Sequence, residues 1–201
     1  MTKYTVGITG GIASGKSSIC KRFEHNGIPV FYADDQTRDL LTNDKELMSK
    51  VTELMGDRAY PSGTFDREWV SSQVFSRPEI RVKLDELLQS YIWREFLRWS
   101  DAQTSNVIAL ESAIIVEKGA KSSFDELVVV SADPAVRLRR AMDRNGASEE
   151  HVRLVMDAQM SDNEREQHAD HIIRNDGSLE DVYPSVDSIA QTVKDNSQSK
   201  R

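Results

Sequence analysis

The spacing of hydrophobic and polar positions changes several times along the chain, and each change marks an element. "YTVGI", from Tyr4 to Ile8, alternates with a period of two and then breaks into glycines, which predicts a strand running into a loop. "SSICKRFEHNG" places Ile19, Cys20 and Phe23 at helical spacing and stops at Asn26-Gly27, a helix and its end. "IPVFYA" reads as a second strand that ends just before Asp34, so a βαβ unit is complete by about residue 33. "DDQTRDLLTND" then resumes a helical pattern through Leu40 and Leu41.

From about residue 44 to 100 the strand signals vanish. "IRVKLDELLQSYIWREFLRW" sets Leu84, Leu87, Leu88, Tyr91, Ile92 and Phe96 on one helical stripe, and the stretch is expected to be a helical insertion. Strands return with "NVIALES" and "ELVVVSA", the second a near-continuous apolar run of the kind buried on both faces of a parallel sheet. "DPAVRLRRAMDRNG" is a punctuated helix, with Asp133 as cap, Pro134 at the first position and Asn145-Gly146 at the end. "SEEHVRLVMDAQM" predicts another helix and "DHIIRND" a short fifth strand. "SLEDVYPSVDSIAQTV" predicts a last helix interrupted near Pro184, and "KDNSQSKR" a polar, frayed tail. Strands alternating with helices place the chain in the α/β class.

Composition narrows the function classes. A length of 201 residues, 38% hydrophobic, suits one domain carrying an insertion. The net charge of −7 argues against a broad basic surface for nucleic acid and favours a small anionic ligand in a local cluster of arginines. Cys20 is the single cysteine, which excludes an intrachain disulfide. With no charged-then-apolar leader and no apolar run of about 18 residues, the expectation is a cytoplasmic protein without a membrane partner.

The chemistry begins in "GITGGIASGKSS". Gly10, four residues, Gly15, Lys16 and Ser17 satisfy G-x-x-x-x-G-K-[ST] between a predicted strand and a predicted helix. Glycines let several backbone N–H groups converge on one point, and the positive end of the helix adds to them, so the loop is suited to phosphate. Lys16 is expected to bridge the β- and γ-phosphates of ATP, and the Ser17 hydroxyl to ligate Mg²⁺ on the same oxygens. A switch GTPase would need N-K-x-D, which the chain lacks, and its one D-x-x-G match, Asp143 to Gly146, sits at a helix end. An ATP-binding module or a small kinase remains.

A kinase needs a carboxylate near the acceptor hydroxyl and cations around the transferred group. Asp34 follows the second strand, and the carboxyl ends of parallel strands line the ligand crevice, so Asp34 is a candidate base; the alternative is that Asp34 or Asp35 only caps the next helix. Arg140 and Arg144 lie four apart on one predicted helix and face the same way, able to converge on the same phosphates, although such a pair taken alone is more often a solvated helix face, the reading assigned to Arg137 and Arg139. Glu111 ends an apolar strand, where a carboxylate holds a water on Mg²⁺ or simply closes the strand. His151, His168 and His171 have no metal-ligand spacing, and Cys20 reads as a small packed residue. Trp69, Trp93 and Trp99 fall in or beside the insertion, where packing is the common fate of tryptophan and stacking on an adenine the other reading.

"GITGGIASGKSS", "VFYADDQTR", "ESAIIVEKGA", "SADPAVRLRRAMDRN", "HVRLVMDAQM" and "ADHIIRNDG" together resemble, in order and spacing, the dephospho-CoA kinase family over roughly residues 3 to 180. The resemblance implies a P-loop three-layer α/β/α fold with a five-stranded parallel sheet. In it the core would span about 1–43 and 101–201, the helical CoA-side insertion about 44–100 and a small lid about 140–165. It implies ATP-dependent phosphorylation of the ribose 3′-hydroxyl of dephospho-CoA, the last step of coenzyme A biosynthesis. Carried over residue by residue, Asp34 is the catalytic base and a substrate contact, Arg38 a substrate contact, and Lys16 and Arg140 catalytic cations. Gly11, Ile12, Ala13, Ser14, Gly15, Lys16, Ser17, Ser18 and Arg144 hold the nucleotide, with Ser17 on the metal.

The chain departs from the family pattern at four places. Tyr32 stands for the first acid of Asp-Ala-Asp, Gln89-Ser90 for a His-Pro pair, Ala113 for a proline and Ala13 for a loop glycine. None removes Lys16, Ser17 or Asp34, and the contacts around residue 89 are where a redirected acceptor would show. The competing readings are a P-loop kinase acting on a nucleoside or sugar hydroxyl and an ATP-binding regulatory protein without transfer. A monomer or weak homo-oligomer is expected.

Overall fold

Five strands rich in β-branched residues form one sheet in the computed structural model, which describes residues 3–200, less the side chain of Asn145. They are β1 (Tyr4–Thr9), β2 (Val30–Tyr32), β3 (Val107–Glu111), β4 (Glu126–Ser131) and β5 (His171–Arg174). The order is β2-β3-β1-β4-β5 and every pairing is parallel, with Ile8 in register with both Glu111 and Val128. The α/β class and the parallel five-stranded sheet are as the pattern and the resemblance led one to expect. The chain leaves β1 for the edge strand β2, returns to β3 beside β1, and then crosses to β4 on the other flank. The connections therefore change side at the carboxyl end of β1, where an open α/β sheet leaves its ligand crevice.

One face of the sheet buries Val6, Ile8, Val107, Ala109, Val128, Val130 and Ile173. Helix α1 (Lys16–His25) covers them with Ile19, Cys20 and Phe23. The last helix of the chain (Leu179–Ser199) adds Val182, Val186, Ala190 and Val193, all buried. That helix is continuous where a break was expected at Pro184: its apolar stripe ties it to the sheet on both sides of the proline, and packing outweighs one missing N–H. Nor is the polar tail frayed as far as Lys200; Arg201 lies outside the described residues. Lys194 donates to the Asn26 carbonyl and Asn196 Nδ2 donates to Glu126 at 2.9 Å, so polar contacts hold the final turns that hydropathy alone left loose.

The chain forms two compact units. One holds the sheet, with the chain up to Tyr32 and from Ala102 onward, and the other is Ala33–Asp101. The second is helical: α2 (Ala33–Asn43), α3 (Lys45–Met55), α4 (Arg67–Ser76) and α5 (Pro78–Ala102). Asp44 and Asp66 cap α3 and α4, accepting from the N–H groups of Leu47 and Trp69. The unit starts at Ala33 rather than near 44, because Leu40 and Leu41 of α2 join Leu47, Val51, Val70, Leu84 and Tyr91 in a core of its own. Trp69 packs against this core, and Phe96 lies between the rings of Trp93 and Trp99.

The sheet unit completes itself with α6 (Pro134–Asn145), α7 (Glu149–Asp157) and α8 (Asp162–Glu166), ahead of the final helix, α9 (Leu179–Ser199). Asp133, Pro134 and a left-handed Gly146 delimit α6 as its punctuation predicts. Among the described residues no helix is long and apolar enough to cross a membrane.

Candidate active site

The loop between β1 and α1 sits at the switch point of the sheet. Its glycines are required by what surrounds them. A Cβ on Gly10 would lie 2.2 Å from the Val130 carbonyl oxygen, and one on Gly11 would lie 2.4 Å from the Arg137 guanidinium. Gly15 has φ 95°, and a Cβ there would meet Asn175 Nδ2 at 2.0 Å. Ala13 also takes a left-handed φ, 56°, a conformation that a side chain makes costly by roughly 1 kcal/mol. Ala13 thus occupies a backbone conformation that suits glycine.

α1 begins at Lys16 with no acidic residue in its first turn, so nothing in the helix neutralises its positive end. Lys16 Nζ donates to the Gly10 carbonyl at 2.9 Å and lies 3.9 Å from Glu111 Oε1 at the end of β3. The Ser17 side chain is exposed at the mouth of the loop. Behind the loop, Cys20 is buried; burial first, then the nearby Glu111 carboxylate, pushes its thiol up and keeps it protonated. The Tyr32 phenol is pushed up likewise, by burial and then by Cys20 and Glu24.

The sequence-predicted residues divide by unit. Gly11 to Ser18, Lys16 and Ser17 among them, share the sheet unit with Glu111, Arg140 and Arg144. Asp34 and Arg38 open the helical unit, in the exposed first turns of α2, and Arg38 pairs there with Asp35. Arg140 is engaged with backbone: its guanidinium donates to the Asn175 carbonyl at 2.7 Å and to the Gly177 carbonyl at 3.0 Å. Arg144 is exposed in the last turn of α6, and Arg139 is exposed as expected.

Arg137 corrects the sequence reading. It is 5% exposed, not solvated, because it lies across Gly11, donates from Nε to the Ile12 carbonyl at 2.9 Å and pairs with Asp162 at 2.5 Å. Three further residues escaped the sequence. Gln159 Oε1 accepts from the Ile12 N–H at 2.8 Å. Asn175, 2% exposed, donates to the Ser14 carbonyl at 2.8 Å. Arg165 has no solvent exposure and bonds Asp162 and Glu117. All contact the loop or its supports from about 120 residues or more further along the chain. No local pattern marks them: Gln159 lies in a turn, Asn175 just after β5 and Arg165 in the polar helix Asp162–Glu166.

A glycine cradle, a basic helix start and a carboxylate-paired lysine at the switch point of a parallel sheet define a P-loop α/β fold of the kinase type. The dephospho-CoA kinase family model matches residues 4–181, and the chain belongs to that family. The dephospho-CoA kinase of Pasteurella multocida (strain Pm70) is 34% identical over 182 residues, 90% of this chain and 88% of that protein. The crystal structure of TT1252 from Thermus thermophilus superposes with a TM-score of 0.84 at 28% identity, covering 96% of this chain and 98% of that one. The dephospho-CoA kinase from Campylobacter jejuni shares the fold, with a TM-score of 0.67 at 22% identity over 96% and 99% of the two chains.

Proposed function

We propose that this protein transfers the γ-phosphoryl group of ATP to the ribose 3′-hydroxyl of dephospho-CoA, giving CoA and ADP. The observation that carries the reading is the phosphate loop at the switch point of the sheet, in a chain matched over residues 4–181 by the dephospho-CoA kinase model.

The residues present suit a nucleotide's phosphates. Gly10, Gly11 and Gly15 let the loop fold closely against Val130, Arg137 and Asn175 where any Cβ would collide, and the first turn of α1, which opens with Lys16, contains no acidic residue. They also suit Mg²⁺: the Ser17 hydroxyl is open to the mouth of the loop, and Glu111 at the end of β3 is placed to hold a metal-bound water. When bound, the ion would neutralise charge on the β- and γ-oxygens. Among the described residues no three His, Cys, Asp or Glu side chains are arranged to hold a metal by themselves, so the phosphates would supply part of the ligand set.

In the reaction the 3′-oxygen forms a bond to the γ-phosphorus while the bond from that phosphorus to the β,γ-bridging oxygen breaks, and ADP leaves. Lys16 and the loop amides stabilise charge on the departing side. Arg140 and Arg144 add cations from α6, Arg140 after exchanging its backbone carbonyl partners for phosphate. The proton of the acceptor hydroxyl passes to the Asp34 carboxylate, a role that rests on its place two residues after β2 and on the family pattern. Arg38 contacts the substrate from the same helix. The compartment that goes with this reading, and with its small-molecule substrate, is the cytoplasm.

The test is ADP release with dephospho-CoA measured against a panel of nucleosides and sugars. Turnover restricted to dephospho-CoA is expected; preference for another acceptor, or none with any, would replace this reading. Asp34→Asn should retain ATP binding and lower turnover by roughly 10²-fold or more.

A further inference from the structure

The apex of the phosphate loop is held from outside itself. Ile12 has both ends of its backbone engaged by side chains: Gln159, in the turn between α7 and α8, accepts from its N–H at 2.8 Å, and Arg137 of α6 donates to its carbonyl at 2.9 Å. Two residues on, the Ser14 carbonyl accepts from Asn175. Within the loop itself, the Ser14 N–H reaches back to the Gly11 carbonyl at 3.2 Å. A glycine-rich loop has little stiffness of its own, so its amides converge only if something fixes the peptides between them.

What fixes Ile12 is anchored in turn. Arg137 pairs with Asp162 at the start of α8, and the other oxygen of Asp162 accepts from Arg165 at 2.8 Å. Arg165 also donates to Glu117 at 2.7 Å and to the Met160 carbonyl at 2.9 Å. Two guanidinium and two carboxylate groups thus alternate through a site where Arg165 is wholly buried and Arg137 nearly so. Such a chain holds one geometry, since moving a member strands a partner charge away from water.

We propose that Arg137 and Gln159 are positioning residues for phosphoryl transfer: by gripping the Ile12 peptide at both ends and tying it through Asp162 to α8, they preorganise the phosphate-binding amides that follow. Neither touches the reacting atoms; they act through the loop. The inference rests on the loop being a nucleotide site, as in the proposed function, but not on the identity of the acceptor.

The experiment measures ADP binding by titration calorimetry in the presence of Mg²⁺, alongside melting temperature, for the full chain. Gln159→Met, in a half-buried turn, removes one acceptor and is expected to weaken ADP about fivefold, the size of one hydrogen bond, with little change in melting temperature. Arg137→Gln is expected to weaken ADP about tenfold or more, and Arg137→Lys, which restores a donor for Ile12 without the fork to Asp162, to recover part of that loss. Should Arg137→Gln fail to fold, Gln159→Met and Arg137→Lys decide. ADP affinity unchanged in Gln159→Met, or melting temperature falling in the Arg137 variants while their ADP affinity matches the parent, would overturn the proposal and leave both residues a purely structural part. If the parent fails to phosphorylate dephospho-CoA while the ADP shifts appear, the acceptor assignment falls and the positioning role stands.

Discussion

The two ends of one sheet are built to opposite rules. At the amino ends of the strands polar groups are saturated: Glu126 at the start of β4 accepts from the Tyr4 hydroxyl at 2.6 Å and from Asn196 at 2.9 Å, and His171 of β5 bonds its other oxygen. Beside it Asp125 accepts from the N–H and hydroxyl of Thr5 and pairs with Lys200. At the carboxyl ends, Thr9 Oγ1, Ser14 Oγ, Ser131 Oγ and Asn175 Oδ1 are buried with no hydrogen-bond partner among the described residues. Each such group costs about 1–3 kcal/mol, a penalty that persists where a binding site gains from it. The sheet is closed off for stability at one end and left polar for a ligand at the other.

If that division holds, substitutions at the two ends should separate activity from stability. The largest effect is expected for Lys16→Met. Losing the cation proposed for the transferred phosphate should lower kcat by on the order of 10²- to 10³-fold, while the melting temperature changes little. Steady-state kinetics and a thermal melt on the same preparation check it; a large fall in melting temperature would break the comparison. The mirror substitution is Glu126→Ala, which removes a buried carboxylate and with it the acceptor of the half-buried Tyr4 hydroxyl and of the exposed Asn196 amide. It should lower stability by about 3 kcal/mol with kcat close to that of the parent, read from denaturant unfolding and the same assay.

The sequence disclosed these two ends unequally. Gly10, Gly15, Lys16 and Ser17 are adjacent in the chain, so a local motif carries their geometry, and strand periodicity carries the sheet. The braces at Arg137, Gln159 and Asn175 meet the loop only through tertiary folding. Arg137 in particular carries the signature of a solvated helix face, since charge alone does not tell which side of a helix faces a loop far back in the chain. The amino-end network was hidden for a second reason. "KDNSQSKR" is polar throughout, and polarity predicts fraying unless partners are known, yet those partners, Asn26, Asp125 and Glu126, lie far away in sequence. The unit boundary at Ala33 was obscured because Leu40 and Leu41 have the same helical spacing whichever core they enter.

The smallest of the expected effects is in acid, and it also belongs to the amino end. Burial alone would raise both carboxyls there. For Asp125 the bonds from Lys200 and Thr5 outweigh it, and for Glu126 those from Tyr4, Asn196 and His171, so both groups are held below their ordinary values of 3.8 and 4.5. A carboxyl lowered in the folded state binds fewer protons there than in the unfolded chain. Its stabilisation is complete above the ordinary value and drains away as the pH falls through the folded one. Unfolding free energy should therefore decline as the pH drops from about 5, and the Asp125→Asn, Glu126→Gln double variant, weaker at neutral pH, should show a shallower decline. Denaturant unfolding at half-unit steps between about pH 5 and 3 reads the two slopes. Equal slopes would mean that the acid sensitivity arises elsewhere, in pairs such as Arg22 with Asp187, whose carboxyl hydrogen bonds from Arg22 and Asn26 hold at about 2, and the amino end would lose its place as the stabilising pole.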